Sequence, residues 1–181
     1  MSDRKPFDRT AADVVVSALR RTRQVRQFTT EPVSDDDLQT ILDVARWSGS
    51  SMNRQPWTFI VVHERGDLGR LAELAPNAKH VGGAAVAIAI AMGGDNAEWD
   101  AYDEGRAAER ILVAATALGL GAAVGWANES VRPQVAQVLG LTPPAFVRTM
   151  ISLGHPTDAA RLPKSAPGMA RQPLKDLVRE L

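Results

Sequence analysis

The sequence contains no cysteine among its 181 residues. This absence excludes disulfide bonds, thiol nucleophiles and zinc sites built from thiolates, and it favours a reducing compartment. The three histidines, His63, His80 and His155, lack the spacing of metal ligands, so we interpret them as structural or surface residues. Neither thiol chemistry nor a protein-bound metal is therefore expected.

Neither sign of charge is in excess, because 21 lysines and arginines balance 21 aspartates and glutamates. No global field would draw the chain to nucleic acid or to an anionic membrane. The most apolar stretch, residues 81–92, is too short to span a bilayer and favours a buried strand. The first residues lack the apolar segment of a signal peptide. We therefore expect a cytoplasmic protein without a membrane or nucleic-acid partner.

Hydrophobic periodicity predicts helices and strands that are mixed without strict alternation, which favours an α+β fold. Ser34, followed by three aspartates, is typical of a helix N-terminus. The chain length and the absence of an internal linker indicate one domain over residues 1–181, with a short N-terminal arm and a tail containing proline and glycine. The predicted helices cover residues 11–21, 35–45, 68–75, 102–120 and 129–139, and the predicted strands cover residues 58–63, 84–92, 122–126 and 148–153.

Two clusters of polar residues stand out. The first is the run Arg23-Gln24-Val25-Arg26-Gln27-Phe28, and the second is a loop before a predicted strand that contains Ser50, Ser51, Asn53 and Gln55. Guanidinium groups, hydroxyls and amides suit a ligand that is anionic and rich in hydrogen-bonding edges, such as flavin mononucleotide (FMN). The alternatives are a solvated basic helix end for the first cluster and an ordinary connecting loop for the second.

In order, these segments resemble motifs of the FMN-dependent nitroreductase family. Residues 23–28 resemble its Arg-Ser-Val/Ile-Arg-x-Phe motif, and residues 47–57 resemble its Ala-Pro-Ser-x-x-Asn-x-Gln-Pro-Trp loop. Residues 109–121 resemble its central helix with the closing Gly-Leu-Gly. Residues 152–156 and 171–174 resemble its Gly-x-Pro and Arg-x-Pro-Leu elements. The resemblance implies a mixed central sheet flanked by helices, and a homodimer.

The resemblance also implies roles for individual residues. The first motif would contact flavin phosphate, ribityl chain or pyrimidine edge through Arg23, Gln24 and Arg26. The second loop would reach the flavin bound mainly by the partner subunit, and Lys79 would lie near flavin N1 and O2. Arg171, or alternatively Lys164, would complete the phosphate clamp. The candidate cofactor-binding residues are thus Arg23, Gln24, Arg26, Ser50, Ser51, Asn53, Gln55, Lys79 and Arg171.

The implied function is an FMN-dependent NAD(P)H oxidoreductase. Hydride would pass from NAD(P)H to flavin N5 and then, in a ping-pong sequence, to a nitroaromatic, quinone or related acceptor. This chemistry belongs to the cofactor, so no catalytic acid–base pair is expected in the protein. An alternative on the same fold is a module that binds or sequesters a flavin or deazaflavin without turnover. A third is a flavin-dependent enzyme for a dedicated metabolite, such as a dehalogenase or a flavin-cleaving enzyme.

Some residues depart from the family pattern. Gln24 stands where the family usually has serine, and Gly49 stands in place of a proline, which we expect to loosen the loop. A short deletion after Gly121 prevents alignment of the residues that would face flavin N5. The sequence does not distinguish NADH from NADPH.

Overall fold

The computed structural model describes residues 9–93, 96–161 and 171–180. Its helices are α1 (Arg9–Arg21), α2 (Asp35–Arg46), α3 (Arg65–Leu74), α4 (Ala97–Ala117), α5 (Arg132–Val138) and α6 (Asp158–Arg161). Its strands are β1 (Trp57–Val62), β2 (Val86–Met92), β3 (Gly121–Trp126) and β4 (Phe146–Gly154). Short 3-10 turns cover Ser51–Asn53, Pro76–Gly83, Glu129–Val131 and Leu174–Asp176. The expected α+β class is confirmed.

The four strands form one sheet in the order β1-β2-β4-β3, and all of these neighbours pair antiparallel. A parallel bridge from Gln24 to Ala122 extends the sheet beyond β3, so the sheet is mixed at this edge. The polar segment 23–28 therefore lies along the outer edge of β3, whereas β1 forms the opposite edge.

Two apolar layers enclose the sheet. Helices α2 and α4 pack on one face, and α3, the 3-10 turn Pro76–Gly83 and α5 pack on the other. Every residue of β2 is buried, as the continuous apolar run in the sequence predicts. Helix α4 contributes nine buried residues, which agrees with its expected central position.

Capping residues set several helix boundaries. The Ser34 hydroxyl accepts a hydrogen bond from the Asp37 amide at 3.1 Å, which confirms the predicted start of α2. Asn96 caps α4 through the amides of Glu98 and Trp99, so this helix begins earlier than the predicted residue 102. The Asn128 side chain forms no capping hydrogen bond. Its oxygen accepts a hydrogen bond from the Asn77 side-chain nitrogen at 3.3 Å.

Helix α1 differs from the other long helices because none of its residues is buried. Its apolar side chains Val14, Val15, Val16 and Leu19 are 43–66% exposed. No helix in the described ranges is both long and apolar enough to cross a membrane.

Candidate functional site

The first group of predicted site residues lies at the outer edge of β3. The Val25 amide donates to the Ala122 carbonyl at 2.8 Å, which anchors the segment to the strand. The Gln24 side-chain oxygen accepts from the Val124 amide at 3.2 Å and from the Arg26 guanidinium at 2.8 Å. We call Gln24, Arg26, Lys79 and His80 the edge cluster.

His80 joins this cluster, although we interpreted it from the sequence only as a structural or surface residue. Its Nδ1 lies 2.7 Å from Ser152 Oγ, and its Nε2 lies 3.3 Å from the Val124 carbonyl oxygen. Burial lowers the pKa of His80, and the Arg26 guanidinium lowers it further. The signal that could have identified His80 is its place directly after the candidate Lys79.

Lys79 is exposed on the 3-10 turn Pro76–Gly83, which packs closely on β3 at Gly125. A Cβ atom at Gly125 would lie 2.5 Å from the Ala78 Cβ and 2.9 Å from its Cα. Only glycine allows this approach without displacement, because such distances are far below van der Waals contact. The turn that carries Lys79 is thereby fixed against the strand edge.

Two further arginines from the predicted clamp are placed differently. Arg23 is exposed, and its guanidinium donates to the carbonyls of Arg20 and Thr22 at 2.7 and 2.8 Å, at the C-terminal end of α1. Arg171 is exposed in the segment 171–180 and forms no hydrogen bond or ion pair there with another described residue. Lys164 lies outside the described residues.

The second group is the loop 50–55, which precedes β1. Met52, Asn53 and Gln55 have φ values of 50°, 55° and 51°, in the left-handed region that non-glycine residues rarely occupy. The Ser50 hydroxyl accepts from the Gln55 amide at 2.8 Å, and the Ser51 amide donates to Asp103 Oδ2 on α4 at 3.2 Å. Such strain persists only where neighbours enforce it and concentrates at ligand sites.

The space beside Gly49, at the base of this loop, is occupied by a side chain. A Cβ at Gly49 would lie 2.2 Å from an Arg106 terminal nitrogen, so the guanidinium fills the space beside the glycine. Nearby, Arg54 stacks over the Trp99 ring at 5.0 Å, and two of its buried nitrogens have no hydrogen-bond partner among the described residues. The tip of the exposed Arg106 side chain can move aside, so this contact does not by itself require glycine at position 49.

An open groove of about 500 Å³ lies beside the loop. It runs between α2 and the free edge of β1, and Gln55 is the predicted site residue that lines it. Its other lining residues are Gln39, Leu42, Asp43, Arg46, Trp57 and Phe59.

A buried ion pair on the α4 side supports the strand next to β3. Glu104 lies 3.5 Å from Arg148 and accepts the Thr149 amide at 2.9 Å. Burial raises the pKa of Glu104, while the hydrogen bond from Thr149 and the charge of Arg148 act in the opposite direction. No group of three or more potential metal-ligating side chains occurs in the described part of the chain.

The edge cluster and the loop 50–55 lie at opposite edges of the sheet. Four inter-strand steps, from β1 through β2, β4 and β3 to the Gln24 segment, separate them. At about 4.8 Å a step this is roughly 19 Å. One chain therefore keeps the two groups of predicted residues apart.

The Nitroreductase family model matches residues 19–80 and 68–155. The chain belongs to the nitroreductase family. A relative from Archaeoglobus fulgidus, provisionally named an NADH dehydrogenase/NAD(P)H nitroreductase, is 30% identical over 144 residues, covering 75% of this chain and 82% of the relative. The FMN reductase [NAD(P)H] of Bacillus subtilis is 26% identical over 177 residues, covering 84% and 71%.

A solved structure supports the same assignment. It is a provisionally named nitroreductase from Desulfovibrio desulfuricans in complex with FMN, and it superposes with a TM-score of 0.78 at 30% identity. The match covers 92% of this chain and 96% of that one.

Proposed function

We propose that this member of the nitroreductase family is an FMN-dependent NAD(P)H oxidoreductase, whose acceptors are nitroaromatics, quinones or related compounds. The observation that supports the proposal is the edge cluster, in which the exposed cations Arg26 and Lys79 lie beside a strand edge, where an anion could bind. The names of the Bacillus subtilis relative and the FMN complex of the Desulfovibrio desulfuricans structure support the cofactor and the electron donor.

The residues present fit FMN because of their unpaired charge. Arg26, Lys79 and Arg171 are exposed, and none forms an ion pair with a carboxylate within the described ranges. A phosphate dianion is the kind of ligand that such guanidinium groups hold best, through two parallel charge-assisted bonds. Arg26 would hold the phosphate, and Arg23 or Arg171 would complete the clamp.

When bound, FMN supplies a redox centre that takes up hydride from NAD(P)H and delivers electrons to the acceptor. The protein positions and tunes it. Lys79 would place a positive charge near N1 and O2, which stabilises negative charge there and raises the reduction potential. The Gln24 oxygen is already bonded to Val124 and Arg26, so its amide nitrogen is the group left for the ribityl chain or the pyrimidine edge.

A homodimer would bring the two separated groups of residues together. In this proposal Ser50, Ser51, Asn53 and Gln55 serve the flavin held by the edge cluster of the partner. The exposed apolar side chains of α1 supply surface that a second copy would cover. Because a two-fold dimer has two equivalent sites, mixing Arg26→Ala and Asn53→Ala subunits should restore one intact site in the mixed dimer. A monomer at full flavin occupancy would contradict this arrangement.

The site test is the variant Arg26→Ala. It should weaken FMN binding by about 1.5–3 kcal/mol, the contribution of a hydrogen bond to a charged group. Arg70→Ala, an exposed arginine on α3, is the matched control and should leave FMN affinity unchanged. Equal affinities for both variants would show that the phosphate clamp is misplaced.

The second candidate is a module that binds a flavin or deazaflavin without turnover. It is favoured by the short connection between β2, which ends at Met92, and α4, which begins at Ala97, because this leaves little chain for a lid. A tight flavin complex that neither nicotinamide reduces would favour this candidate over the oxidoreductase.

A further inference from the structure

A continuous chain of hydrogen bonds crosses from the buried strand β4 to the exposed Arg26. Ser152 Oγ contacts His80 Nδ1 at 2.7 Å, and His80 Nε2 contacts the Val124 carbonyl at 3.3 Å. The amide of the same Val124 donates to the Gln24 side-chain oxygen, which also accepts from Arg26. In this series of hydrogen bonds, the His80 side chain joins Ser152 in the interior of the sheet to Val124 at its edge.

The contacts favour one tautomer of His80. A carbonyl oxygen only accepts hydrogen bonds, so Nε2 must carry the proton that meets Val124. In a neutral ring Nδ1 is then an acceptor, and the Ser152 hydroxyl donates to it. Ser152 is fully buried, so water is not its partner. The Ala123 carbonyl, 3.4 Å from Ser152 Oγ, is a second acceptor for this hydroxyl, at a longer distance than His80 Nδ1.

The outer edge of β3 would otherwise carry unpaired backbone groups. The Val124 amide and carbonyl both point away from β4, and side chains rather than a further strand bond them. Gln24 binds the amide and His80 binds the carbonyl, so the two side chains fix one residue of the strand from both sides. A shift of Val124 would move Gln24 and, with it, the guanidinium of Arg26.

The charged group that influences the pKa of His80 is the Arg26 guanidinium. Arg26 faces it from the segment before α2, and Lys79 precedes it on its own turn. From α3, Arg65 donates to the carbonyls of Gly82 and Ala84 at 2.7 Å, at the end of that turn. Ser152 from β4 and the Val124 carbonyl from β3 are uncharged. The neutral ring is therefore the form that this environment favours.

We propose that His80 is a positioning residue of the flavin site, which holds Val124 and, through Gln24, sets the guanidinium of Arg26 for the FMN phosphate. This inference rests on the proposed function, because it assigns FMN phosphate to Arg26. His80 itself touches neither the phosphate nor the flavin ring in this account.

Two substitutions separate the bond to Val124 from the bond to Ser152. In His80→Gln the amide nitrogen reaches as far as Nε2 and can donate to the Val124 carbonyl. In His80→Asn the side chain reaches only as far as Nδ1, so it retains a partner in Ser152 and loses Val124. His63→Gln, at the exposed His63 after β1, is the control for loss of a histidine elsewhere.

The measurement is the Kd for FMN added to the apo form of each full-length variant, determined by flavin fluorescence. His80→Asn should bind FMN roughly 3- to 10-fold more weakly, as expected for loss of one hydrogen bond. His80→Gln should stay near the wild-type value, and so should His63→Gln. Thermal unfolding of the same samples verifies that each variant is folded at the temperature of the titration.

A pH profile adds a readout that simple destabilisation would not produce. A phosphate dianion beside Arg26 offsets the repulsion that Arg26 exerts on protonated His80. FMN should therefore raise the pKa of His80, and by linkage protonation of His80 should tighten FMN binding. The ratio of the wild-type FMN affinity to the His80→Gln affinity, measured at each pH, is the readout. This ratio should rise as the pH falls below 6.5, the ordinary pKa of histidine.

Equal affinities for His80→Gln and His80→Asn, with a flat ratio across pH, would overturn the inference while leaving the proposed function intact. Failure of the wild-type protein to bind FMN at all would overturn the proposed function and this inference together. The two failures are therefore distinguishable within one set of titrations.

Discussion

Gly125 is the position at which a single methyl group should disturb the edge cluster most directly. The Cβ of Gly125→Ala would lie 2.5 Å from the Ala78 Cβ, 2.9 Å from the Ala78 Cα and 3.3 Å from the Met150 carbonyl oxygen. Carbon atoms pack best at about 3.5–4.0 Å, so the turn and the strand must separate by about 1 Å. Ala78 and Met150 are fully buried, so neither can yield toward solvent.

Overpacking of this kind costs about 1–3 kcal/mol. With a urea slope of about 2 kcal/mol/M, the unfolding midpoint should fall by roughly 0.5–1.5 M while the slope stays unchanged. Because Ala78 directly precedes Lys79 and His80, the same displacement should also weaken FMN binding. Urea unfolding followed by circular dichroism, at one fixed protein concentration without FMN, measures the stability.

The matched control is Gly105→Ala. Gly105 is exposed within α4, and an added Cβ there has no neighbour within 4 Å. Replacing a helical glycine by alanine should stabilise the protein by about 0.5–1 kcal/mol. A Gly125→Ala protein as stable as wild type, alongside the expected gain for Gly105→Ala, would refute the packing argument for the turn.

Four further predictions concern stability. Ser34→Ala removes the N-cap of α2 and should cost about 1 kcal/mol in urea unfolding, whereas an unchanged midpoint would deny the cap any role. Glu104→Leu leaves the buried Arg148 without its ion-pair partner and should cost about 3–5 kcal/mol. Asp43→Ala breaks an exposed ion pair and should cost less than about 1 kcal/mol, so similar losses for the two variants would contradict the assigned burial. Because the pKa of His80 is lowered in the folded state, the unfolded chain takes up its proton first as the pH falls below 6.5. The free energy of unfolding should therefore decrease in that range for wild type and less so for His80→Gln, and parallel curves would exclude His80 as the cause.

Local sequence patterns predicted those helices and strands whose boundaries depend on residues close to one another in the sequence. The acidic first turn after Ser34 identified the start of α2, and the apolar run ending at Met92 identified β2. The start of α4 was missed because its cap, Asn96, lies in a stretch with little hydrophobic periodicity. The α+β class followed from the mixture of elements, while the order of strands did not.

The candidate site depended on contacts that are distant in sequence. His80 meets Ser152 and Val124, which are 72 and 44 positions away, and no local pattern encodes either distance. Gly49 was interpreted as a loose position because it replaces a proline, and no local pattern shows that Arg106 of α4 occupies the space beside it. Likewise, the residue type of Met52 gives no sign of its φ of 50°.

Two predictions about the site are tested by separate experiments. The first is that Arg23, Arg26 and Arg171 hold one phosphate, and the second is that loop 50–55 serves the flavin of a neighbouring subunit. The mixed-dimer and Arg26→Ala experiments address these two points separately.

The most direct test of the central claim is anaerobic reduction of the FMN-loaded protein by NADH and by NADPH, followed in the flavin absorption bands. We expect at least one nicotinamide to bleach the flavin, and a nitroaromatic or quinone then to restore its absorption. A stable flavin complex that neither nicotinamide reduces would contradict the oxidoreductase and favour the binding module.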